Sequence, residues 1–178
     1  MISHNKLRNI VIREEKNEDM TDVYNLIKES FSTAEHSDGT EHELVKKLHN
    51  GISFIRELSL VAEINDKIVG YALFTKAKIG FNDNALILAL LAVLPCFQRR
   101  GIGSSLICEG HSIAKKLGYD CILVLGNDKY YSRFGYIPAY KMNIYTPNEF
   151  PKENFMALRL NTGGFIGGKV TFAEEFGL

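Results

Sequence analysis

The chain of 178 residues is 46% hydrophobic and 24% charged, which is ordinary for a soluble globular protein and fits one domain. Its 21 basic and 21 acidic residues cancel, so no general positive field attracts nucleic acid or an acidic membrane, and we expect neither as a partner. Three cysteines without C-x-x-C spacing exclude a disulfide framework and a zinc site, so we expect free, buried thiols. Residues 1–6 lack the apolar core of a signal peptide, and we therefore expect a cytoplasmic protein.

The first part of the chain is predicted to form a strand and two helices. A β-branched run favours a strand over 9–14. Apolar residues at helical spacing predict a first helix over 19–31 and a second over 40–49.

A β-hairpin is predicted next. Its arms, 59–64 and 67–79, flank Asn65-Asp66, a pair typical of tight turns. Gly70 in the second arm indicates a bulge or a close approach of another part of the backbone. The polar segment 80–84 predicts a second turn, which makes the following strand the third of an antiparallel meander.

The most informative stretch is an apolar strand, a glycine-containing loop and the start of a helix. Residues 86–94 are all apolar and Pro95 ends the run, which predicts a strand covered by helices on both faces of the sheet. Gln98-Arg99-Arg100-Gly101-Ile102-Gly103 follows and leads into a helix predicted over 103–117. A helix N-terminus preceded by glycines presents unpaired N–H groups and the positive end of the helix dipole, which together bind phosphates.

Two common phosphate-binding motifs are excluded. No Gly-Lys-Ser/Thr follows the glycines, so the loop is not a P-loop. The dinucleotide-binding motif lacks its third glycine, and the predicted strand over 121–125 does not end in an acidic residue. With the helix between them, this strand and strand 86–94 form a β-α-β unit whose strands should run parallel.

The rest of the chain is predicted to form short elements. Residues 129–134 read as one or two helical turns closed by Gly135. Residues 136–138 and 142–145 indicate a further strand, and the alternating pattern over 155–160 indicates another.

Residues 90–136 resemble the GCN5-related N-acetyltransferase (GNAT) family. The resemblance is carried, in order, by Leu-Ala-Val-Leu-Pro, Gln-Arg-Arg-Gly-Ile-Gly, Leu-Gly and Tyr-Tyr-Ser-Arg-Phe-Gly-Tyr. The distal part from residue 155 is similar to a bacterial subgroup of predicted N-acetyltransferases. The resemblance implies an α/β (α+β) fold: a mixed, mostly antiparallel sheet with helices on both faces and a splayed parallel strand pair that binds the cofactor. It implies one acetyltransferase domain over 1–178, with a core over about 8–160 and a tail over 161–178 that completes the sheet or packs on it.

The resemblance also implies acetyl-coenzyme A as co-substrate, without a metal. The pantetheine arm would pair with backbone groups of Leu91 and Val93, and the pyrophosphate would accept hydrogen bonds from the N–H groups of 99–104. Either arginine of this loop could reach the 3′-phosphate or be merely solvated, and Asn127 either contacts the pantetheine arm or is a plain turn former. The residues expected to bind the cofactor are Leu91, Ala92, Val93, Gln98, Arg99, Arg100, Gly101, Ile102, Gly103, Ser104, Asn127 and Tyr131.

The implied reaction is direct attack of an amine on the thioester. Tyr131 holds the family's general-acid position, four residues before Gly135, although it could instead pack or hydrogen-bond the cofactor sulfur. Its neighbour Tyr130 competes for the role, because a helix can point only one of the two into the cleft. The backbone N–H of Val93 is a candidate oxyanion donor.

The general base is not evident, because residues 85–94 contain no ionisable side chain. Glu35, His36, a water-mediated route and an acceptor that arrives as the free amine are the alternatives. Two other functions remain open: a non-catalytic acyl-coenzyme A-binding regulatory module, which the missing base slightly favours, and a nucleotide-binding regulator, which the missing P-loop lysine disfavours.

The acceptor is expected to be a small-molecule or peptide amine. Acidic residues between the first two helices and on the second hint at a cationic acceptor, but solvated helix charges explain them equally well. A homodimer is compatible with the sequence. The acidic residues are Glu35, Asp38, Glu41 and Glu43.

Overall fold

A computed structural model of the chain describes residues 10–32, 39–146, 149–163 and 167–177. It confirms the predicted fold class, a mixed and mostly antiparallel sheet with helices. The strands are β1 Val11–Glu14, β2 Ser59–Ile64, β3 Lys67–Ile79, β4 Asn82–Val93, β5 Cys121–Leu125, β6 Ile137–Pro138, β7 Ile144–Tyr145, β8 Phe155–Arg159 and β9 Gly168–Thr171. The α-helices are α1 Met20–Phe31, α2 Glu41–His49, α3 Ile102–Lys116 and α4 Asp128–Tyr131.

The sheet order places β4 and β5 near the centre. The order is β1-β2-β3-β4-β5-β8-β6, and β9 adds to the far end of β3 and also pairs with β7. From β1 to β4, each strand is antiparallel to the next one. β4 and β5 are parallel, and β8 is antiparallel to β5. The predicted meander and the predicted parallel pair are therefore both present.

The hairpin between β2 and β3 has the predicted bounds. Asn65 and Asp66 have φ values of 50° and 61°, the left-handed conformation that a two-residue type I′ turn needs at both positions. Gly70 lies beside a bulge in the β2–β3 pairing, and a Cβ there would be 2.8 Å from the side chain of Ile102. The bulge interpretation of this glycine is confirmed, whereas the close approach is that of side chains and not of another part of the backbone.

Helices cover both faces of the sheet, as the apolar pattern predicts. The ring of Phe74 fills the space where a Cβ on Gly110 of α3 would lie, at 2.3 Å, so β3 and α3 are in close contact. On the opposite face, the hydroxyl of Tyr71 lies 3.1 Å from Nε2 of His49, at the end of α2. Adjacent residues of a strand point to opposite faces, and α3 therefore lies across the sheet from α1 and α2.

The parallel strands β4 and β5 separate after a short paired section. Their last paired residues are Ile87 and Leu123. β4 stays paired with β3 up to Val93, but its pairing with β3 skips Ala89, which forms a bulge. A bulge bends its strand and increases its twist, and the two strands diverge from this point. The predicted splay is present.

Two local predictions are wrong. The turn predicted over 80–84 is shorter, because Asn82 already pairs with Ile79 and leaves Gly80 and Phe81 as the loop. Ladder pairing overrides the turn preference of the asparagines. The single further strand is instead two, since a 3₁₀ turn over Ala139–Met142 separates β6, which pairs with β8, from β7, which pairs with β9.

The three cysteines are free, but only Cys121 is buried. Cys96 and Cys108 are exposed, because one lies in the loop after β4 and the other on the outer side of α3. No α-helix in the described ranges is long and apolar enough to cross a bilayer.

Candidate active site

A cleft of about 750 Å³ lies between the end of β4, the start of α3 and the turn after β5. Eight of the predicted site residues line it. Four residues not predicted to bind the cofactor line it as well: Phe97, Lys129, Tyr130 and Arg133. The eight predicted residues are Leu91, Val93, Gln98, Arg99, Gly101, Ile102, Gly103 and Ser104.

The start of α3 presents unpaired N–H groups to this cleft. Gly101 has φ of 87° and is the N-cap residue, with no side chain capping the helix. The first N–H to bond within the helix is that of Ser105, to the carbonyl of Gly101. The N–H groups of Ile102, Gly103 and Ser104 are therefore free for a ligand, at the positive end of a 15-residue helix. This geometry suits an anion such as a pyrophosphate.

Gly103 allows Tyr130 to approach the helix start. A Cβ on Gly103 would lie 2.8 Å from the Tyr130 hydroxyl and 3.7 Å from Leu91. The absence of a side chain thus keeps space between β4, α3 and the Tyr130 ring. Of the two neighbouring tyrosines, Tyr130 lines the cleft.

The charge of the cleft is positive although the chain is neutral. Arg99, Lys129 and Arg133 line it, and the Arg133 guanidinium stacks on the Tyr130 ring at 4.5 Å. Arg100 lies instead over the ring of Phe97, at 5.5 Å, and does not line the cleft. Lys129 and Arg133 were missed from sequence, although their spacing of four residues in a helical turn indicates a common side.

The edge of β4 supplies backbone groups to the gap beside β5. The N–H of Leu94 donates to the carbonyl of Val69 on β3. Because successive N–H groups of a strand point to opposite sides, those of Leu91 and Val93 point away from β3. The side chain of Gln98 donates to the Val93 carbonyl at 3.0 Å and holds the loop against the strand. Ala92 is 3% exposed and does not line the cleft, and by the same alternation its N–H group faces β3, where it pairs with Tyr71.

Tyr131 is the last residue of α4, packs next to Tyr130 and does not line the cleft. A Cβ on Gly126 would be 2.4 Å from the Tyr131 ring, and the Tyr136 ring lies 5.7 Å away. Burial, with a smaller effect of Tyr130, raises the pKa of the Tyr131 hydroxyl well above its usual value. The hydroxyl therefore stays protonated at neutral pH and can donate a hydrogen bond to a ligand.

Asn127 caps α4. Its side-chain oxygen accepts a hydrogen bond from the N–H of Tyr130 at 3.1 Å, which is the role of an N-cap residue. Asn127 does not line the cleft. Its contact with the pantetheine arm remains a prediction, for which its side-chain NH₂ group is the available donor.

The candidate bases Glu35 and His36 lie outside the described residues, as does Asp38. Glu43 is exposed on α2 and lies 3.4 Å from the Tyr24 hydroxyl. Within the described ranges, no three histidine, cysteine, aspartate or glutamate side chains cluster closely enough to hold a metal ion.

Comparison with known proteins connects this site to one enzyme family. The sequence model of the acetyltransferase (GNAT) domain matches residues 56–138, which include all twelve residues that line the cleft. The Escherichia coli K12 protein YjhQ, an uncharacterized N-acetyltransferase, is 40% identical over 102 residues. That match spans 56% of this chain and 56% of YjhQ, so the chain matches about half the length of this relative.

Two solved structures are similar over nearly the whole chain. A GNAT acetyltransferase from Brucella melitensis in complex with acetyl-coenzyme A is 28% identical, with a TM-score of 0.78, over 94% of this chain and 98% of that one. YhbS from Escherichia coli, in complex with coenzyme A, is 26% identical, with a TM-score of 0.85, over 95% and 92% of the two chains.

Proposed function

Because this chain belongs to the GNAT family of acetyltransferases, we propose that it transfers an acetyl group from acetyl-coenzyme A to an amine. The observation that carries the proposal is the uncapped start of α3, whose free N–H groups face a positively charged cleft beside the splayed strands. Structures similar to this one hold acetyl-coenzyme A or coenzyme A.

The residues of the cleft fit the donor. The pyrophosphate requires several N–H donors and positive charge, which the α3 start, Arg99, Lys129 and Arg133 supply. The pantetheine arm carries amide groups, which can pair with the free N–H groups of Leu91 and Val93 as an added strand does. The apolar side chains of these two residues also line the cleft.

Transfer of the acetyl group requires that the amine and the thioester be held in the right orientation and that one group donate a proton to the leaving sulfur. Attack of the amine nitrogen forms a C–N bond and breaks the C–S bond of the thioester, the sulfur leaves as the thiol, and the nitrogen loses a proton to solvent. The chain contributes by holding both reactants in contact, which removes much of the entropic barrier. An N–H group of the β4 edge that the pantetheine amides leave unpaired, that of Leu91 or Val93, donates to the developing oxyanion, and the protonated Tyr131 hydroxyl supplies the proton to the departing sulfur.

The proposal is tested by following thiol release and acetylated product with the full chain, acetyl-coenzyme A and a broad panel of primary amines. We expect amine-dependent thiol release with an equal amount of acetylated amine. Donor binding with no product from any amine would leave a non-catalytic acyl-coenzyme A-binding module. No donor binding would contradict the proposed function.

A further inference from the structure

A second, apolar pocket of about 210 Å³ lies on the opposite face of the sheet from α3. We call it the apolar pocket. Its floor is the part of β4 from Ile87 to Ala89, and the rest of its lining is aliphatic or aromatic. That lining is Leu44 of α2, Leu125 of β5, Phe150, Phe155, Phe172 and Phe176.

The apolar pocket lies at the mouth of the β4–β5 splay. Ile87 is the last residue of β4 paired with β5, and Ala89 is the bulge residue where the strands diverge. Two residues further along β4, Leu91 lines the donor cleft on the α3 side. The pocket and the cleft therefore approach the same gap from the two faces of the sheet.

The phenylalanines form one cluster. The Phe155 and Phe172 rings are 6.1 Å apart, and Phe150 lies 6.0 Å from Phe155 and 6.3 Å from Phe172. Phe176 lies 6.0 Å from Phe172. These separations are those of edge-to-face and offset ring contacts, so a further ring can pack among them in the same manner.

From this pocket we propose that the acceptor is a primary amine carried on an apolar body the size of about one aromatic ring. The inference depends on the proposed acetyltransferase function and specifies its substrate class. The volume fits, since a cavity of roughly 150 Å³ lined by aliphatic and aromatic side chains is enough to bind benzene. None of the described residues that line the pocket is ionisable, so this part of the chain offers no partner there for a diamine's second charge.

The same lining explains how the reaction can proceed without an ionisable side chain on residues 85–94. An amine held against apolar side chains is favoured in its neutral form, because burial disfavours the ammonium ion. The neutral amine is the nucleophile, and its nitrogen loses a proton to solvent after it attacks. β4 therefore needs no carboxylate beside the thioester for such an acceptor.

The experiment compares 2-phenylethylamine with 1,4-diaminobutane at saturating acetyl-coenzyme A, by thiol release and by the mass of the product. We expect kcat/KM to be at least about 100-fold higher for 2-phenylethylamine, since specificity for apolar groups accumulates by about tenfold or more per buried methylene. Leu125, which is 45% exposed, can be changed with little effect on folding. Leu125→Gln should lower kcat/KM for 2-phenylethylamine about tenfold and leave the affinity for acetyl-coenzyme A unchanged.

Leu117→Gln is the matched control, because Leu117 is 46% exposed at the far end of α3. Phe176→Ala is a second variant, which should lower transfer to 2-phenylethylamine in the same way. Equal or faster acetylation of 1,4-diaminobutane, or transfer to no ring-bearing amine while acetyl-coenzyme A binds, overturns the inference. Failure of acetyl-coenzyme A to bind overturns the proposed function together with it.

Discussion

The ring of Tyr131 rests directly on the backbone of Gly126, at the end of β5. A Cβ added to Gly126 would lie 2.4 Å from Cε2 of that ring, closer than any real contact, so this glycine sets where the Tyr131 hydroxyl lies. The backbone at Gly126 does not have a positive φ, so alanine fits its conformation without strain. The added Cβ clashes only with the Tyr131 ring, and Gly126→Ala should therefore displace that ring. We expect turnover to fall about 10- to 100-fold, the effect of a misplaced catalytic group, with little change in donor affinity.

Gly163→Ala is the control for that prediction. Gly163 has open space around its Cα and no positive φ, so the same substitution there should leave turnover unchanged. If Gly126→Ala turns over as fast as the wild type, the position of the Tyr131 ring is not important for the reaction.

Removing the Tyr131 hydroxyl tests its role as general acid. Tyr131→Phe should lower kcat by about 100-fold or more, the usual contribution of a positioned acid, while calorimetry shows a nearly unchanged affinity for acetyl-coenzyme A. Tyr130→Phe is the comparison, since Tyr130 lines the cleft beside Gly103 and stacks with Arg133. A larger loss of kcat in Tyr130→Phe than in Tyr131→Phe would exchange the roles of the two tyrosines.

The positive charge of the cleft should be measurable as salt-dependent donor affinity. Arg133→Ala removes one of three cations that line the cleft, and we expect Kd for coenzyme A to rise about three- to tenfold at low salt. The difference should shrink above roughly 0.3 M salt, where surface charges are screened. Lys116→Ala, at the opposite end of α3, is the control and should not change Kd. An effect of equal size in both variants would mean that the cleft has no local preference for the phosphates.

His111 of α3 should make the fold less stable in mild acid. Burial lowers the pKa of its imidazole to about 4, below its ordinary value of 6.5, and Nε2 lies 2.9 Å from the Tyr136 hydroxyl. Between pH 6.5 and pH 4 the unfolded chain binds a proton at His111 that the folded chain does not bind. The free energy of unfolding therefore falls as the pH drops through this range, and it does not depend on His111 above pH 6.5.

Urea unfolding at pH 7 and pH 5 measures this effect. After allowance for solvent screening of a partly exposed group, the loss attributable to His111 is about 1 kcal/mol. His111→Gln keeps a hydrogen-bonding side chain without the titration and should lose correspondingly less stability between the two pH values. Equal losses in both proteins would mean that His111 titrates as freely in the folded chain as in the unfolded one.

The parts predicted well from sequence are those whose signal is local. The Asn65-Asp66 turn defines its hairpin because both residues tolerate a positive φ, and the glycines before α3 mark the helix start wherever the rest of the chain lies. The splay of β4 and β5 was expected only through the family resemblance, because the bulge at Ala89 has no local sequence signal.

The apolar pocket could not be predicted, because its lining is assembled from segments far apart in the chain. Leu44, Leu125 and Phe172 come together only when α2, β5 and the segment after β9 have packed. The acidic residues near α2 pointed instead toward a cationic acceptor. Of the two that are described, Glu41 and Glu43, neither lines the pocket.

Calorimetric titration of the full chain with acetyl-coenzyme A, followed by ATP as competitor, tests the central claim most directly. The free N–H groups at the start of α3 and the unpaired edge of β4 together predict saturable binding of one acetyl-coenzyme A per chain at submillimolar concentration. ATP should compete poorly, since it lacks the pantetheine arm that pairs with Leu91 and Val93. No binding of acetyl-coenzyme A, or tighter binding of ATP, would contradict the account.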